Sequence, residues 1–235
     1  MTAAASKARV LCLIPAKGGS TRLPRKNILP LGDKPLLAWT LEAAQTSGIM
    51  QRIVVSTEDA EVAKIARQWG AEVPFSRPDD LARDPAGVVQ VGLHCLQQLR
   101  RQGEEYNVLI ILLPTCPFRT AQDIRDAYEL FQQKQGRFLM SVAEYPHTPF
   151  AALMLDEGHL SPYFPQYSGK KSQEMPLAYR PNGAIHILDV PAFEQAKSYY
   201  AQPLLAYPMP AERSVDIDNA FDLAIARCML SVPLP

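Results

Sequence analysis

The feature that most constrains the fold is the regular alternation of strand-like and helix-like segments along the chain. Short β-branched or apolar runs precede longer segments with apolar residues at helical spacing. The predicted strands are 10–14, 52–56, 72–75, 108–113, 138–142, 183–188 and 204–207. The predicted helices are 36–46, 58–69, 88–100, 121–133, 190–196 and 219–230. This order predicts an α/β fold, with a mostly parallel sheet and helices on both faces.

The alternation is interrupted after Glu144, where prolines become frequent. Within this stretch, segments 151–155 and 160–164 flank an Asp-Glu-Gly turn and predict a β-hairpin. We interpret residues 145–178 as a small insertion, of the kind typical of a lid or a dimerisation arm. The rest of 10–235 is expected to form a single domain, preceded by a flexible N-terminus at 1–9.

Composition excludes several classes of partner. The 24 basic and 24 acidic residues balance, so we expect no large basic surface and no nucleic-acid partner. The chain shows no signal peptide and no run of about 18 apolar residues that could span a membrane. Cys12, Cys95, Cys116 and Cys228 form no CxxC pair, which is typical of reduced structural thiols. We therefore expect a cytoplasmic protein without a membrane partner.

A loop rich in glycine and basic residues, PAKGGSTRLPRKN at 15–27, follows the first predicted strand. Gly18 and Gly19 allow a tight turn whose backbone N–H groups face an anion. Four cations accompany them: Lys17, Arg22, Arg25 and Lys26. At the carboxyl end of a strand, such a loop suits a polyphosphate. Neither the Walker A spacing nor GxGxxG is present, so a basic surface loop is the alternative.

Two carboxylates alternate with apolar residues in RSVDID, just before the last predicted helix. On an extended segment, Asp216 and Asp218 point to one side and Val215 and Ile217 to the other. Two carboxylates on one face suit a cation between them, and Mg²⁺ binds one or two carboxylates together with phosphate oxygens. The alternative is that Asp218 caps the helix and Asp216 pairs with Arg213.

Three further turns beside predicted strands carry polar candidates. The first turn carries Thr115 and Arg119, the second carries Arg180 and Asn182, and the third carries Arg77 and Asp84. The second pair could bind the carboxylate and hydroxyls of a sugar, and the third could line a pocket for a base. For each, an ordinary turn between elements is the alternative.

In this order, the motifs resemble those of the acylneuraminate cytidylyltransferases, which synthesise CMP-sialic acid and its legionaminic-type relatives. The resemblance runs from about Val10 to Arg227 through PAKGGSTRLPRKN, IVVSTED, VPFSRPDDLARD, LLPTCPFRT, YRPNGAI and RSVDID. It implies a Rossmann-like nucleotidyltransferase fold and a homodimer whose inserted arm reaches the partner's site. It also implies Mg²⁺-dependent transfer of CMP from CTP to the anomeric hydroxyl of a nine-carbon 2-keto acid sugar, with Mn²⁺ as an alternative metal and pyrophosphate as the product.

The resemblance also implies roles for individual residues. The implied catalytic residues are Lys17, Lys26, Asp216 and Asp218, and the two aspartates are also the metal ligands. The implied CTP site comprises Ala16, Lys17, Gly18, Gly19, Ser20, Arg22, Lys26, Asn27, Arg77 and Asp84. The implied sugar site comprises Leu113, Thr115, Arg119, Lys171, Tyr179, Arg180, Asn182 and Gly183.

Four departures from the family pattern stand out, and all but the one at Lys17 bear on the identity of the substrate. They are Lys17 for the usual Arg, Leu113 for a common Gln, Ser172 for a common Arg, and 85–87 for a Thr-Ala-Ser run. Lysine lacks the bidentate fork of arginine. A sugar hydroxyl left unpaired against Leu113 would be penalised, which favours a deoxygenated or acylated, legionaminic-type sugar over N-acetylneuraminate. The rival functions are a KDO-type cytidylyltransferase and a catalytically silent nucleotide-sugar binding protein.

Overall fold

A six-stranded sheet forms the centre of the molecule in the computed structural model, which describes residues 8–83 and 85–231. The strands along the chain are β1 (Val10–Pro15), β2 (Pro30–Leu31), β3 (Lys34–Pro35), β4 (Arg52–Ser56), β5 (Val108–Ile111), β6 (Phe138–Glu144), β7 (Leu153–Asp156), β8 (His159–Pro162), β9 (Tyr179–Asp189) and β10 (Leu204–Pro208). The central order is β10-β6-β9-β5-β1-β4, in which only β9 runs antiparallel to its neighbours. The predicted mostly parallel sheet is confirmed.

Helices cover both faces of this sheet, as predicted. They are α1 (Leu36–Ser47), α2 (Ala60–Gln68), α3 (Val88–Arg101), α4 (Ala121–Gln133), α5 (Val190–Ala196) and α6 (Ala220–Leu230). Side chains of β1 alternate between the faces, so Cys12 and Ile14 pack with α1, α2 and α4, whereas Leu11 and Leu13 pack with α3 and α5. Because both faces of β1 and β5 are buried, these strands read as continuous apolar runs.

Capping residues set several helix boundaries. Asp59 accepts hydrogen bonds from the backbone of Glu61 and Val62, so α2 begins two residues later than predicted. Thr120 caps α4 as predicted, through the backbone N–H of Asp123. Asn219 caps α6 and is therefore its cap rather than its first residue.

Two predicted strands differ from those observed. The predicted strand 72–75 reduces to a single bridge between Val54 and Glu72, because Pro74 has no N–H with which to continue the ladder. The predicted strand 183–188 is longer, since β9 begins at Tyr179 and pairs with both β5 and β6. The YRPNGAI motif thus lies within a strand rather than in a turn before one.

The predicted hairpin within 145–178 is confirmed as β7 and β8, joined through Glu157 and Gly158, both at positive φ. Every residue of the two strands is exposed. Behind the hairpin, Phe150 packs on Phe164 and Tyr167, with ring centroids 5.4 and 4.9 Å away. The division into one domain with an inserted arm stays a prediction, and residues 1–7 of the predicted flexible N-terminus lie outside the described residues.

Candidate active site

A cleft of about 320 Å³ opens at the carboxyl ends of β1 and β5, beside the N-terminus of α3. Ligands of open α/β sheets bind at this edge, and the volume falls in the range of small-molecule sites. Its lining residues are Pro15, Lys17, Ser20, Thr21, Arg22, Lys26, Asn27, Arg77, Ala86, Gly87, Val88, Val91, Leu113, Pro114 and Thr115.

The glycine-rich loop forms one wall of the cleft. Lys17, Ser20, Arg22 and Lys26 line it, and the buried Asn27 closes the loop by donating its side-chain N–H to the Lys17 carbonyl at 2.8 Å. Thus the structure brings most of the predicted loop residues together at one site. The structure places three of the predicted contacts outside the lining: Ala16, Gly18 and Gly19.

The structure does not give Gly18 the predicted role of presenting its N–H to an anionic ligand. Its N–H donates to the Glu58 carboxylate at 2.7 Å, so this amide is already engaged within the protein. A Cβ at this position would lie 2.5 Å from the Asp59 Oδ2 and 2.6 Å from the Asp59 Cβ, whereas a Cβ on Gly19 would meet nothing within 4 Å. Gly18 therefore permits close approach of the loop to the residues that follow β4. Sequence reasoning overlooked Glu58, although its position directly after a predicted strand was a usable signal.

Asp218 joins the loop to the segment before α6. Its two carboxylate oxygens lie 2.8 Å from the Lys26 Nζ and 2.7 Å from the Arg22 guanidinium. Partial burial alone would raise the pKa of Asp218, but the ion pairs with Lys26 and Arg22 outweigh it and lower that pKa. The structure thus pairs two of the loop cations directly with a carboxylate that the resemblance implies for the same site, an ion pairing that the sequence did not predict.

Asp216 lies beside Asp218 but in a different electrostatic setting. Only part of its surface is open to solvent, and Ile217 between the two carboxylates is fully buried. Loss of hydration among the surrounding protein atoms, and then repulsion from Asp218, raise the pKa of Asp216 above its ordinary value. The two carboxylates thus share a side of the segment, as the alternation predicted.

The alternative explanation of the RSVDID motif is wrong on both counts. Asn219, not Asp218, caps α6. Arg213 pairs with the buried carboxylate of Asp123, with both of its hydrogen bonds at 3.0 Å, rather than with Asp216. Neither carboxylate therefore has the structural role that the alternative assigns to it.

The donor set fits a magnesium ion that a phosphate would help to hold. Among the residues that the structure describes, no group of three or more His, Cys, Asp or Glu could hold a metal by itself. Asp216 and Asp218 are two carboxylates next to cations that suit phosphate, and Mg²⁺ commonly binds through one or two carboxylates plus phosphate oxygens and water. The arrangement favours a site that is complete only with substrate.

Arg77 lines the cleft but is buried, and its guanidinium is hydrogen-bonded within the protein. It donates from Nε to the Ser56 hydroxyl at 3.1 Å and from a terminal nitrogen to the Ser56 carbonyl. Burial lowers the pKa of Arg77, and the nearby Glu58 carboxylate opposes that shift. Ala86, Val88 and Val91 line the cleft with it and supply an apolar surface. Asp84, predicted to share this pocket, lies outside the described residues.

On the predicted sugar side, Leu113 and Thr115 line the cleft but Arg119 does not. Arg119 is only 3% exposed and donates to the Thr40 hydroxyl at 2.9 Å and to the Leu113 carbonyl. Burial lowers the pKa of Arg119. Gly183, with φ of +71°, passes beneath Leu113, whose Cδ1 would lie 3.1 Å from a Cβ there. Arg119 and Gly183 therefore contact Leu113 from the interior of the protein rather than lining the cleft.

The remaining predicted sugar contacts lie on or near β9. Asn182 is 1% exposed and faces the interior, whereas Tyr179 is exposed and Arg180 is half-buried close to the Ser214 carbonyl. Lys171 is exposed on the arm and does not line the cleft. The structure thus separates the predicted sugar residues into cleft, interior and arm positions.

Comparisons with known proteins agree with this geometry. A family model for cytidylyltransferases matches residues 11–139. The pseudaminic acid cytidylyltransferase of Campylobacter jejuni is 32% identical over 94% of this chain and 96% of its own length. The CMP-N,N'-diacetyllegionaminic acid synthase of Legionella pneumophila is 34% identical over 95% and 97%. The N-acylneuraminate cytidylyltransferase of Escherichia coli is 32% identical over 94% of this chain and 52% of that protein.

Solved structures show the same architecture at lower identity. A CMP:2-keto-3-deoxy-manno-octonic acid synthetase complexed with CTP superposes with a TM-score of 0.72, covering 95% of this chain and 99% of that one at 14% identity. This likeness confirms the predicted nucleotidyltransferase fold. The family match and the relatives above 30% identity show that the chain belongs to the cytidylyltransferase family.

Proposed function

We propose that this protein transfers CMP from CTP to the anomeric hydroxyl of a nonulosonic acid and releases pyrophosphate. The observation that carries the proposal is the convergence of two cleft-lining cations, Lys26 and Arg22, on Asp218, which lies 192 positions after Lys26. Cations from the loop and carboxylates from the end of the chain are the two groups that a nucleoside triphosphate and its metal require.

The residues of the cleft suit this transfer through charge and position. A triphosphate carries about four negative charges, which repel an attacking oxygen unless cations offset them. Lys17, Arg22 and Lys26 line the wall where the phosphates would lie, and they would stabilise the charge that develops on the departing pyrophosphate. The anomeric oxygen would bond to the α-phosphorus as the bond from the α-phosphorus to the oxygen that bridges it to the β-phosphorus breaks. That oxygen would leave with the pyrophosphate, and the hydroxyl proton would pass to water.

We assign the metal, Mg²⁺ with Mn²⁺ as an alternative, to Asp216 and Asp218. When bound, it would neutralise phosphate oxygens and lower the pKa of the attacking hydroxyl. Arg77 and the apolar residues of α3, which line the cleft, would border the cytosine. Leu113 and Thr115 would face the sugar.

The sugar is proposed to be a deoxygenated or acylated nonulosonic acid. Leu113 presents an apolar side chain to the cleft, where a sugar hydroxyl would lack a partner. The relatives named for pseudaminic and N,N'-diacetyllegionaminic acid match over nearly their full lengths, which agrees with this choice.

We also propose that the protein is a homodimer formed through the arm. Leu155 and Leu160 are 70% and 65% exposed on the hairpin, and Tyr163 and Leu177 add further uncovered apolar surface. Contiguous apolar surface of this kind marks interaction sites. A cytoplasmic location is proposed from the thiols, since all four cysteines are unpaired and three are buried.

The function is tested by measuring pyrophosphate release with each of the four nucleoside triphosphates and a panel of sugar acids. The panel contains legionaminic, pseudaminic, N-acetylneuraminic and KDO substrates. We expect release with CTP, Mg²⁺ and a legionaminic or pseudaminic substrate. A preference for N-acetylneuraminate would reject the role of Leu113, and release with KDO alone would establish the KDO-type alternative. Binding of CTP without release for any sugar would establish a silent binding protein.

Asp218→Asn tests the metal assignment in the same assay. Loss of this carboxylate should lower kcat by about 10³-fold or more, while the thermal unfolding midpoint stays close to that of the parent. Asp33→Asn, in the exposed turn between β2 and β3, is the matched control and should leave turnover unchanged. Turnover by Asp218→Asn at the parent rate would overturn the assignment.

A further inference from the structure

The segment 214–218, which carries both carboxylates, lies outside the sheet. It connects a short helical turn (Ala211–Arg213) to α6 and belongs to no β-ladder. One backbone bond joins it to the cleft, from the Ile217 N–H to the Thr115 carbonyl at 2.8 Å. Two negative side chains on such a segment need other anchors to keep a fixed position.

One anchor is a buried chain of hydrogen bonds that begins in the sheet. The Ser141 hydroxyl of β6 donates to the Asn182 side-chain oxygen at 2.6 Å. The Asn182 side-chain nitrogen donates to the Ser214 hydroxyl at 2.9 Å, and that hydroxyl donates to the Pro210 carbonyl at 2.8 Å. Ser141, Asn182 and Ser214 are each at most 1% exposed. The chain therefore connects the rigid sheet to the first residue of the carboxylate segment.

The hydrogen-bonding capacity of Asn182 is already used inside the protein. Its oxygen also accepts from the Ala184 N–H at 3.1 Å, and its nitrogen also lies 3.4 Å from the Met209 sulfur. Its backbone carbonyl accepts from the Cys116 thiol at 3.0 Å. An amide that is fully engaged and buried cannot contact a sugar without breaking these bonds.

A second anchor precedes the segment by one residue. Arg213 forms its two-bond ion pair with Asp123 at the N-terminus of α4, and the Tyr207 hydroxyl approaches the same carboxylate at 3.4 Å. Asp123 is only 2% exposed. Arg213 and Ser214 thus attach consecutive residues to two different elements, and this arrangement restricts both the position and the rotation of the chain that follows.

We propose that Asn182 and Ser214 are positioning residues, which act through the buried Ser141–Asn182–Ser214 chain to hold Asp216 and Asp218 in the orientation that binds a metal–triphosphate complex. This inference rests on the proposed function. It assigns Asn182 to the geometry of the metal site rather than to the sugar. Groups that hold metal ligands in place commonly change metal affinity by about 10-fold or more when they are removed.

The test measures binding of Mn²⁺ to the full-length protein in the presence of CTP and without sugar, by the loss of the free-ion paramagnetic resonance signal. Ser214→Ala should weaken Mn²⁺ binding about 10-fold and raise the metal concentration for half-maximal turnover by the same factor. Ser47→Ala is the matched control, because its buried hydroxyl also donates to a nearby backbone carbonyl, that of Ala44, but far from the site. It should leave both quantities unchanged.

Ser214→Cys provides a second variant that fills the same space and is a weaker hydrogen-bonding group. Its loss of Mn²⁺ affinity should lie between that of the parent and that of Ser214→Ala. If Ser214→Ala does not fold, Ser214→Cys is used in its place. Parent-like Mn²⁺ binding by the folded Ser214 variant would overturn the inference, as would an equal loss in Ser47→Ala. A parent protein that releases no pyrophosphate with any sugar would instead count against the proposed function.

Discussion

The cleft and the arm differ in how their side chains are partnered. Around the cleft, even strongly polar groups are paired inside the chain, as Asn27, Arg77 and Asp218 show. On the arm, large apolar side chains such as Leu155 and Leu160 contact solvent. A two-stranded hairpin with no core of its own is only marginally stable alone. The polar groups of the cleft are thus paired within one chain, and the uncovered leucines of the arm support the proposal that a second copy covers it.

The largest expected effect is dissociation of the proposed dimer when the apolar surface of the arm is removed. If a partner copy covers the hairpin, Leu155→Asp combined with Leu160→Asp removes four buried leucines from a two-fold dimer. At about 1.5 kcal/mol or more for each leucine, the dissociation constant should rise by about 10⁴-fold. Light scattering after size exclusion should then show a monomer that still binds CTP, since the cleft residues are unchanged.

The control for this variant is Phe221→Asp, because Phe221 is 72% exposed on α6, away from the arm. It should leave the oligomeric state of the parent unchanged. A dimer that survives the double substitution in the arm would show that the interface lies elsewhere, and dissociation by Phe221→Asp would place it on α6.

The next largest effect is the pH dependence of stability that arises from His186, a buried residue of β9. Burial, and secondly the charge of Arg119, lower the pKa of His186 from 6.5 to about 4. The unfolded chain therefore binds a proton before the folded chain does, so stability falls as the pH drops from about 6.5 to 4. His186→Phe, which can still pack on Tyr199, should reduce this acid-dependent loss by about 3 kcal/mol.

Urea unfolding between pH 7 and pH 4 measures this difference. His147→Phe, on the exposed arm, is the control and should keep the parent's pH dependence. The explanation fails if His186→Phe loses as much stability on acidification as the parent does.

A smaller effect is expected in the glycine-rich loop. Gly18→Ala places a methyl group against Asp59, whose side chain caps α2, and should cost about 1–3 kcal/mol of unfolding free energy. Gly19→Ala meets open space and should change stability little. Urea titrations of the two variants, with CTP affinity by calorimetry, check this contrast. Equal losses in both variants would contradict the role given to Gly18.

The smallest effect is expected at Lys17. Lys17→Arg provides the planar two-bond fork that suits phosphate, and it should raise kcat/KM for CTP several-fold, within about tenfold. Lys64→Arg, on the exposed face of α2, makes the same change away from the cleft and should have no effect. A fall in kcat/KM for Lys17→Arg would indicate that the cleft is shaped for lysine.

Much of the fold could be predicted because strand and helix periods differ clearly in this chain. The capping pair of Thr120 and Asp123 and the αL glycine after α1 follow local chemistry. The start of β9 could not be predicted, because the Pro and Gly of YRPNGAI indicate a turn unless the partner strands are known. Pairing with β6, across an irregularity between Met140 and Val142, is a tertiary effect.

For the site, the sequence located the segments but not the direction of each side chain. Lys26 and Asp218 were expected together and lie together. Arg119 and Asn182 have the same polar character as residues that line the cleft, yet both face the interior. Whether a polar side chain after a strand points inward depends on partners distant in sequence, here Thr40 for Arg119 and Ser214 for Asn182.

The ion pair between Lys26 and Asp218 joins groups that are 192 positions apart. During synthesis, the loop therefore emerges long before the carboxylates that complete the site. Contacts between such distant segments form late in folding, because their loop-closure entropy must first be overcome. A nascent chain that has not yet reached residue 218 would thus present the loop cations without the carboxylate that pairs with them, so the proposed site can assemble only after most of the chain has been made.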